Sequence, residues 1–465
     1  MIKTDTDALC AAWRETLTQR SDDAAVLGSA GEVLRTFGQI EKEAEAIADT
    51  QLATFKPGAV LAIQIGNHPA WPAWLLACVR RGLVVLPLEG TMGPHERHAA
   101  LQVCRATAVV IFRAGEIEVE RGGGAFTRWD YPQPALLKLT SGTTAAPRAI
   151  RFRSEQLLAD CDQICSTMGI SDHDLNFGVI PVSHSYGFSN LLTPLIARGV
   201  PLVMSRDRMP RAVLDGLART NATVFPGMPV FYQALIQMEE VPRLTKLRLC
   251  ISAGAPLSLR TALKFREKFG HSIHSFYGSS ECGGICYDAA ATLVEQAFVG
   301  EPMDGVQLKL LEPNGASSRI RVRSAAASDG YFPEPDEERL GHGSFMPDDL
   351  LARAAGGYRV VGRVSDLINV AGKKVNPAEV EAALLACKGV REAIVFGRSS
   401  SLRNEEVAAC VVAETGVAEE QLLDRLRHRL SGWQVPKKVF FLPEMPVSER
   451  GKISRRALAE RFALA

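Results

Sequence analysis

At 465 residues the chain exceeds one ordinary domain, and its 46% hydrophobic and 23% charged residues give sizeable cores, so two to four structural units are expected. A formal net charge of +1 excludes a general attraction to nucleic acid or acidic lipid. No run reaches the ~18 consecutive apolar residues of a membrane span; the nearest, residues 71–88, is broken by Arg80 and Arg81.

The start, Met1-Ile2-Lys3-Thr4-Asp5, lacks the apolar core of a secretory signal. Residues 60–65 and 83–88 predict buried strands, with a helix over 70–81 between them. A helix over 95–104 and a strand over 108–112 follow. The rhythm returns at 200–204, 210–219, 222–225, 230–238, 247–251 and 257–269, which predicts two doubly wound α/β subdomains. From about residue 296 the pieces become short and β-rich, at 307–311, 319–322 and 358–361, as in a small barrel or distorted sheet. Beyond residue 362, helices over 377–388 and 419–430 and strands over 392–397 and 407–412 predict a separate small α+β domain. The expected division is a large N-terminal domain over 1–364 and a mobile C-terminal domain over 365–465. Ten cysteines form no Cys-x-x-Cys pair; Cys161/Cys165 and Cys282/Cys286 are four apart, but no set completes a zinc site. They read as reduced thiols of a cytoplasmic protein.

Five segments carry chemistry. Thr140-Ser141-Gly142-Thr143-Thr144-Ala145-Ala146-Pro147-Arg148 packs hydroxyls, a glycine and a cation into one turn after the apolar run 134–139. Such a turn makes a nest for phosphate oxygens, although it lacks P-loop spacing and alone reads equally as a solvated turn. In Phe276-Tyr277-Gly278-Ser279-Ser280-Glu281, an adenine can stack on Tyr277 and Glu281 can hold Mg²⁺ through oxygen. Asp349, in Pro347-Asp348-Asp349-Leu350, can accept from ribose hydroxyls or cap a helix. The stretch 362–381 begins with Gly362-Arg363 and runs through Ser365, an apolar strand and Ala371-Gly372-Lys373-Lys374 into a Pro-started acidic helix. Finally, Gly451-Lys452-Ile453 sits in a basic tail.

In this order and spacing the segments resemble the adenylate-forming superfamily of acyl- and aryl-CoA ligases, peptide-synthetase adenylation domains and firefly luciferase. The resemblance rests on motifs over residues 135–460. It implies that a carboxylate attacks the α-phosphate of ATP to give an acyl-adenylate and pyrophosphate, after which a thiol displaces AMP. It places Thr140, Ser141, Gly142, Thr143, Thr144 and Arg148 around the β- and γ-phosphates, Glu281 on Mg²⁺ and Ser280 near the α-phosphate. Tyr277, Gly278 and the Gly254-Ala255-Pro256 turn would enclose adenine, and Asp349 and Arg363 would hold the ribose. Lys452 would bridge the carboxylate and the α-phosphate. The C-terminal domain would then swing about a pivot, bringing the 369–375 strand-turn to the site, with Gly372 leaving room for a pantetheine arm. Departures from the pattern are Ala145 and Ala149 for glycine, Arg148 for lysine, Ser365 at the pivot and Asp348 before the ribose aspartate.

His184-Ser185-Tyr186-Gly187-Phe188 resembles the ligases in which a histidine borders the carboxylate pocket. The aspartate that pairs with an α-ammonium in amino-acid-activating members is missing. The remaining walls by resemblance are 225–229, 252–255 and 282–284, small and apolar, which suits an uncharged aryl or short-to-medium acyl acid. The acceptor thiol is coenzyme A or the phosphopantetheine of a carrier protein. A non-catalytic nucleotide-binding homologue and an oxidative user of the adenylate share these motifs and remain as alternatives.

Overall fold

In the computed structural model, the described residues are 7–122, 124, 126–129, 132–140, 148–293, 295–315, 317–400, 404–446 and 455–462. The chain divides into two compact units. Residues 1–309, 321–347 and 354–358 form the first, and residues 310–320, 348–353 and 359–465 the second.

The first unit is built on two sheets. In one, Ile273–Ser279, Leu249–Ser252, Val224–Gly227, Asn176–Gly178, Leu202–Met204 and Ala24–Leu27 lie side by side and parallel. The central strands Asn176–Gly178, Leu202–Met204, Val224–Gly227 and Leu249–Ser252 are buried at every position, as strands of a parallel sheet covered on both faces are. Antiparallel strands finish the sheet, Val33–Thr36 at one side and Gly283–Tyr287 then Phe298–Pro302 at the other. The second sheet runs Tyr331–Phe332, Ala149–Phe152, Leu136–Leu139, Val84–Pro87, Val60–Gln64, Ala106–Arg113 and Glu116–Arg121. The apolar run near residue 71 is the helix Trp71–Arg80, and everything from Trp71 to Val79 in it is buried. Its hydrophobicity therefore belongs to a protein core. Among the described residues no helix is long and apolar enough to cross a membrane. All ten cysteines are free and buried.

Parallel strands put their following loops at one edge. Residues 179–188, 228, 253–256 and 280–281 all leave the carboxyl ends of neighbouring parallel strands. Asn67 joins this edge to the second sheet. Its amide donates to the carbonyls of Ile180 at 3.1 Å and Ser205 at 3.2 Å, and its carbonyl accepts from the Val182 amide at 3.0 Å.

The second unit contains a sheet in the order Lys373–Val375, Ile368–Val370, Asn404–Ala413 and Val390–Ser400, with Lys438–Phe441 parallel to Asn404–Ala413. Strand alternation buries Val407, Ala409 and Val411 with Val380, Leu384, Leu422 and Leu426, from the helices Pro377–Leu385 and Glu419–Arg427. Ala408, Cys410 and Val412 face the other way, onto Met445 and Leu458 of the helix Arg455–Arg461. In the same unit, residues 318–319 pair with 350–351.

Candidate functional site

The proposed phosphate loop springs from two paired strands. Leu139 pairs with Ala149, and at the mouth Thr140 and Arg148 are tied three times. The Thr140 amide donates to the Arg148 carbonyl at 2.8 Å, its hydroxyl donates to the same carbonyl at 3.1 Å, and the Arg148 amide donates to that hydroxyl at 3.4 Å. The stems of the loop are therefore closed by hydrogen bonds. Ser141, Gly142, Thr143 and Thr144 lie outside the described residues.

Arg148 reaches the carboxylate through a residue the sequence reading missed. Its guanidinium lies 4.9 Å from the centre of the Tyr331 ring, and the Tyr331 hydroxyl donates to Glu281 Oε1 at 3.2 Å. Tyr331 is brought there because Tyr331–Phe332 adds as a short strand to Ala149–Phe152, with Tyr331 opposite Ile150. The sequence signal was faint: one aromatic pair after Gly330 in a β-rich stretch.

Glu281 stands at the tip of the hairpin formed by Ile273–Ser279 and Gly283–Tyr287. Ser279 Oγ holds the turn by accepting the amides of Glu281 and Cys282, each at 3.2 Å. The Glu281 side chain is half-buried. Desolvation, the largest influence, raises its carboxyl above the usual range, and the Tyr331 hydroxyl and the charge of Arg339 pull it part of the way back. A cation or a phosphate-bound metal arriving here therefore meets a carboxylate that burial has left short of counter-charge. Among the described residues no three His, Cys, Asp or Glu side chains gather into a metal cage. A lone carboxylate acting with phosphate oxygens is the arrangement Mg²⁺ ordinarily accepts, so Glu281 fits that ion.

The acid-side segment meets the same hairpin. Ser185 Oγ donates to Ser280 Oγ at 2.9 Å, joining 184–188 to 276–281. Tyr186 is buried, its ring 5.8 Å from Phe276 and its hydroxyl 3.3 Å from the Ile251 carbonyl. His184 is exposed, and its Nδ1 accepts the Tyr186 amide at 3.3 Å, capping the short helix that follows. Tyr277 is half-buried beside the exposed Gly278, opposite Cys286 and Gly284 on the neighbouring strand. Gly254, Ala255 and Pro256 form an exposed turn at the carboxyl end of Leu249–Ser252.

The second unit holds the remaining candidates. Arg363 Nε donates to Asp349 Oδ1 at 2.9 Å, so the two expected ribose contacts are paired with each other. Asp349 is the more buried partner, 14% exposed against 56% for Arg363. Asp348, unusual against the resembled pattern, accepts the Ser365 amide at 3.2 Å through its carboxylate and the Val364 amide at 2.8 Å through its carbonyl. It thus caps the turn at the expected pivot. Gly372 forms the turn between Ile368–Val370 and Lys373–Val375 with φ +86°. Asn369 Oδ1 accepts its amide at 3.0 Å. Lys373 beside it lies 3.7 Å from the Trp433 ring centre. Lys452 lies outside the described residues. Three positions later Arg455 is fixed by ion pairs to Asp366 at 2.7 Å and Glu381 at 2.8 Å.

Comparison with known proteins identifies the family. The family model described as AMP-binding enzyme matches residues 13–130 and 127–332, and that of the AMP-binding enzyme C-terminal domain matches 379–452. A feruloyl-CoA synthase of an Amycolatopsis species is 26% identical over 97% of this chain and 98% of its own. A 4-hydroxybenzoate–CoA/benzoate–CoA ligase of Rhodopseudomonas palustris is 26% identical over 79% of this chain and 71% of its own. The crystal structure of ATP-bound MatB from Rhodopseudomonas palustris superposes with a TM-score of 0.84 at 24% identity, covering 98% of this chain and 99% of that one. The o-succinylbenzoate CoA synthetase of Bacillus subtilis, solved with its acyl-adenylate, gives 0.81 at 22% identity, covering 96% and 97%. With both family models matched in chain order, and the loop, hairpin and paired aspartate and arginine in their expected places in the sequence, the chain belongs to the AMP-binding enzymes, the adenylate-forming superfamily.

Proposed function

We propose that this AMP-forming acid–thiol ligase activates an uncharged, non-amino-acid carboxylic acid, aryl or short-to-medium acyl, and passes it to the thiol of coenzyme A. The observation that carries the reading is the chain of contacts from Arg148 through Tyr331 to Glu281, which joins the phosphate-loop stem to the carboxylate tip. The relatives named for feruloyl and benzoate substrates support an aryl acid and coenzyme A. The ten buried free thiols suit a reducing cytoplasm.

In the first half-reaction a carboxylate oxygen of the acid bonds to the α-phosphorus of ATP and the bond to pyrophosphate breaks. Thr140, Ser141, Thr143 and Thr144, with Arg148, hold the departing phosphates, and Lys452 neutralises the charge shared between acid and α-phosphate. Mg²⁺, held by Glu281, would supply further neutralisation. Ser280 lies near the α-phosphate, Tyr277 and the 254–256 turn border the adenine, and Asp349 with Arg363 takes the ribose. In the second half-reaction sulfur bonds to the acyl carbon, the bond to AMP breaks, and the thiol proton passes to solvent. We assign the two steps to alternate placements of the domain 365–465 against 1–364, with Ser365 as pivot and Gly372 lining the path of the thiol.

The direct test is pyrophosphate release from Mg·ATP across a panel of aryl and aliphatic acids, with and without coenzyme A. Release with one acid class, and AMP turnover accelerated by coenzyme A, is expected. Release that coenzyme A leaves unchanged would move the acceptor to a carrier protein. Silence with every acid, alongside intact ATP binding, would favour the non-catalytic reading.

Tyr331 offers a sharper local check. Tyr331→Phe removes one hydrogen bond to a charged group, a contact of about 1.5–3 kcal/mol, so the apparent KM for Mg·ATP should rise roughly tenfold or more. Thioester formation from a supplied acyl-adenylate should not change. An unaltered KM would separate Tyr331 from the nucleotide.

A further inference from the structure

The helix Ser154–Met168, which follows the phosphate-loop stem, buries polar side chains at Gln156, Asp160 and Gln163. Their spacing of four and then three puts them on one face, where a core-facing helix ordinarily carries apolar residues. Buried polar groups persist when they are hydrogen-bonded, so the partners tell what the face holds. Gln156 Nε2 donates to the Ala327 carbonyl at 2.9 Å and to Asp329 Oδ1 at 2.8 Å. Arg153, at the start of the helix, donates to the same Asp329 carboxylate at 2.7 Å. One turn on from Gln156, Asp160 Oδ1 accepts the Gly284 amide at 3.0 Å. A Cβ on Gly283, where φ is +69°, would stand 2.0 Å from that oxygen, so the carboxylate needs glycine there. Gln163 Nε2 lies 3.1 Å from Ser324 Oγ, which in turn accepts the Ala326 amide.

These partners flank Glu281 on both sides. Asp329 stands two residues before Tyr331, and Gly284 three residues after Glu281. The Tyr331 hydroxyl donates to Glu281 Oε1, and the Ser328 amide donates to the Glu281 carbonyl at 3.0 Å. The contacts close a ring. It runs from Gln156 to Asp329, along the chain to Tyr331, across to Glu281, down the hairpin to Gly284 and back to Asp160. The bond between Ser328 and Glu281 braces it across the middle. With both rim segments tied to one helix, hydroxyl and carboxylate keep a fixed separation. Ser154 makes the contrast: it is as buried and lies on the same helix, but it donates to Asp7 Oδ2 at 2.7 Å, outside the ring.

We propose that Gln156 and Asp160 are positioning residues for adenylate formation: the polar face of this helix fixes Tyr331 and Glu281 against each other and so keeps the carboxylate presented to Mg·ATP. Both act through the backbone segments they hold, without touching the nucleotide. The inference rests on the reading of Glu281 and Tyr331 given above.

The test compares Asp160→Ala, Asp160→Asn, Gln156→Leu and Ser154→Ala with Tyr331→Phe and Glu281→Gln in the full chain. Each is measured for the apparent KM for Mg·ATP in pyrophosphate release, for thioester formation from a supplied acyl-adenylate and for Tm. Asp160→Ala and Gln156→Leu should raise the KM about fivefold or more, with thioester formation unchanged. Asp160→Asn keeps an oxygen for the Gly284 amide and should stay within about twofold of the parent. Ser154→Ala removes an equally buried bond, so it should lower Tm as Asp160→Ala does, yet leave the KM at the parent value. Combined with Tyr331→Phe, either Asp160→Ala or Gln156→Leu should add little to the loss from Tyr331→Phe, because the contact being positioned is already gone. Using both residues keeps this comparison independent of how well any one variant folds. A parent KM in Asp160→Ala and Gln156→Leu, equal loss in both half-reactions, a matching KM rise in Ser154→Ala, or losses that multiply with Tyr331→Phe would each overturn the proposal. A parent KM in both Tyr331→Phe and Glu281→Gln would instead overturn the reading of the nucleotide site, and the proposal with it.

Discussion

Lys452→Ala should lower acyl-adenylate formation by about a thousandfold and leave thioester formation from a supplied acyl-adenylate within about twofold of the parent. The magnitude follows from one charge: an ammonium ~4 Å from the shared negative charge, at an effective dielectric of ~20, contributes about 4 kcal/mol, or three powers of ten in rate. The selectivity follows from the chemistry. Only the first half-reaction joins an anionic acid to an anionic phosphate, whereas the second passes a neutral acyl group to sulfur. Arg455, three residues on, is pinned by Asp366 and Glu381 and donates to the Val395 carbonyl at 3.0 Å, so the helix Arg455–Arg461 begins at a fixed point of the second unit. Pyrophosphate release and thioester formation, assayed separately on the same preparation, read the two steps. Equal loss in both would remove Lys452 from the role. Lys452→Arg should recover little, since a planar, bulkier guanidinium does not reproduce a compact point charge between two reactants.

The βα rhythm was legible because parallel strands buried on both faces must be apolar throughout, and short runs such as 60–65 and 247–251 announce themselves. The candidate site loops stand out for another reason: phosphate, ribose and metal each demand particular donor atoms, and residues offering them occur in order along the chain. Pairings between distant segments could not be read. Ala24–Leu27 lies beside Leu202–Met204, some 175 residues away, and nothing local in either run names its partner. Tyr331 and Asn67 are of the same kind. Each acts through one side chain carried to the site by a strand or loop whose neighbours are fixed only in three dimensions.

The departures from the family pattern gain physical content in the same way. Arg148 keeps the charge of the usual lysine and adds a planar face, and that face meets Tyr331. Asp348 replaces a residue without a side chain, and its carboxylate takes the Ser365 amide at the expected pivot. At 348 the carboxylate engages a neighbour that glycine could not, whereas at 148 the guanidinium makes a cation–π contact of a kind open to lysine as well. Both changes are taken up by neighbouring groups, while Glu281 accepts from Tyr331 and Asp349 pairs with Arg363.

Gly372→Trp should cut thiol transfer by about a hundredfold or more while adenylate formation stays near the parent rate. The turn at 372 has two separate demands. Its φ of +86° disfavours any side chain, and a Cβ there would meet nothing within 4 Å, so added bulk projects into open space instead of into the core. Gly372→Ala separates the two. It imposes the same backbone strain, about 1–2 kcal/mol, with almost no volume. If the glycine serves the passage of a narrow pantetheine arm, Gly372→Ala should retain most thiol transfer and Gly372→Trp should lose it. If it serves only the hairpin, both variants should fall together, and a lower Tm should accompany them. The hairpin has other supports, the Asn369 side chain under the turn and the Lys373 ammonium over Trp433, so it should keep its shape with either substitution. Single-turnover transfer from a preformed acyl-adenylate to coenzyme A measures the step directly. Transfer at the parent rate in Gly372→Trp would place the thiol's path elsewhere and leave Gly372 as a turn residue alone.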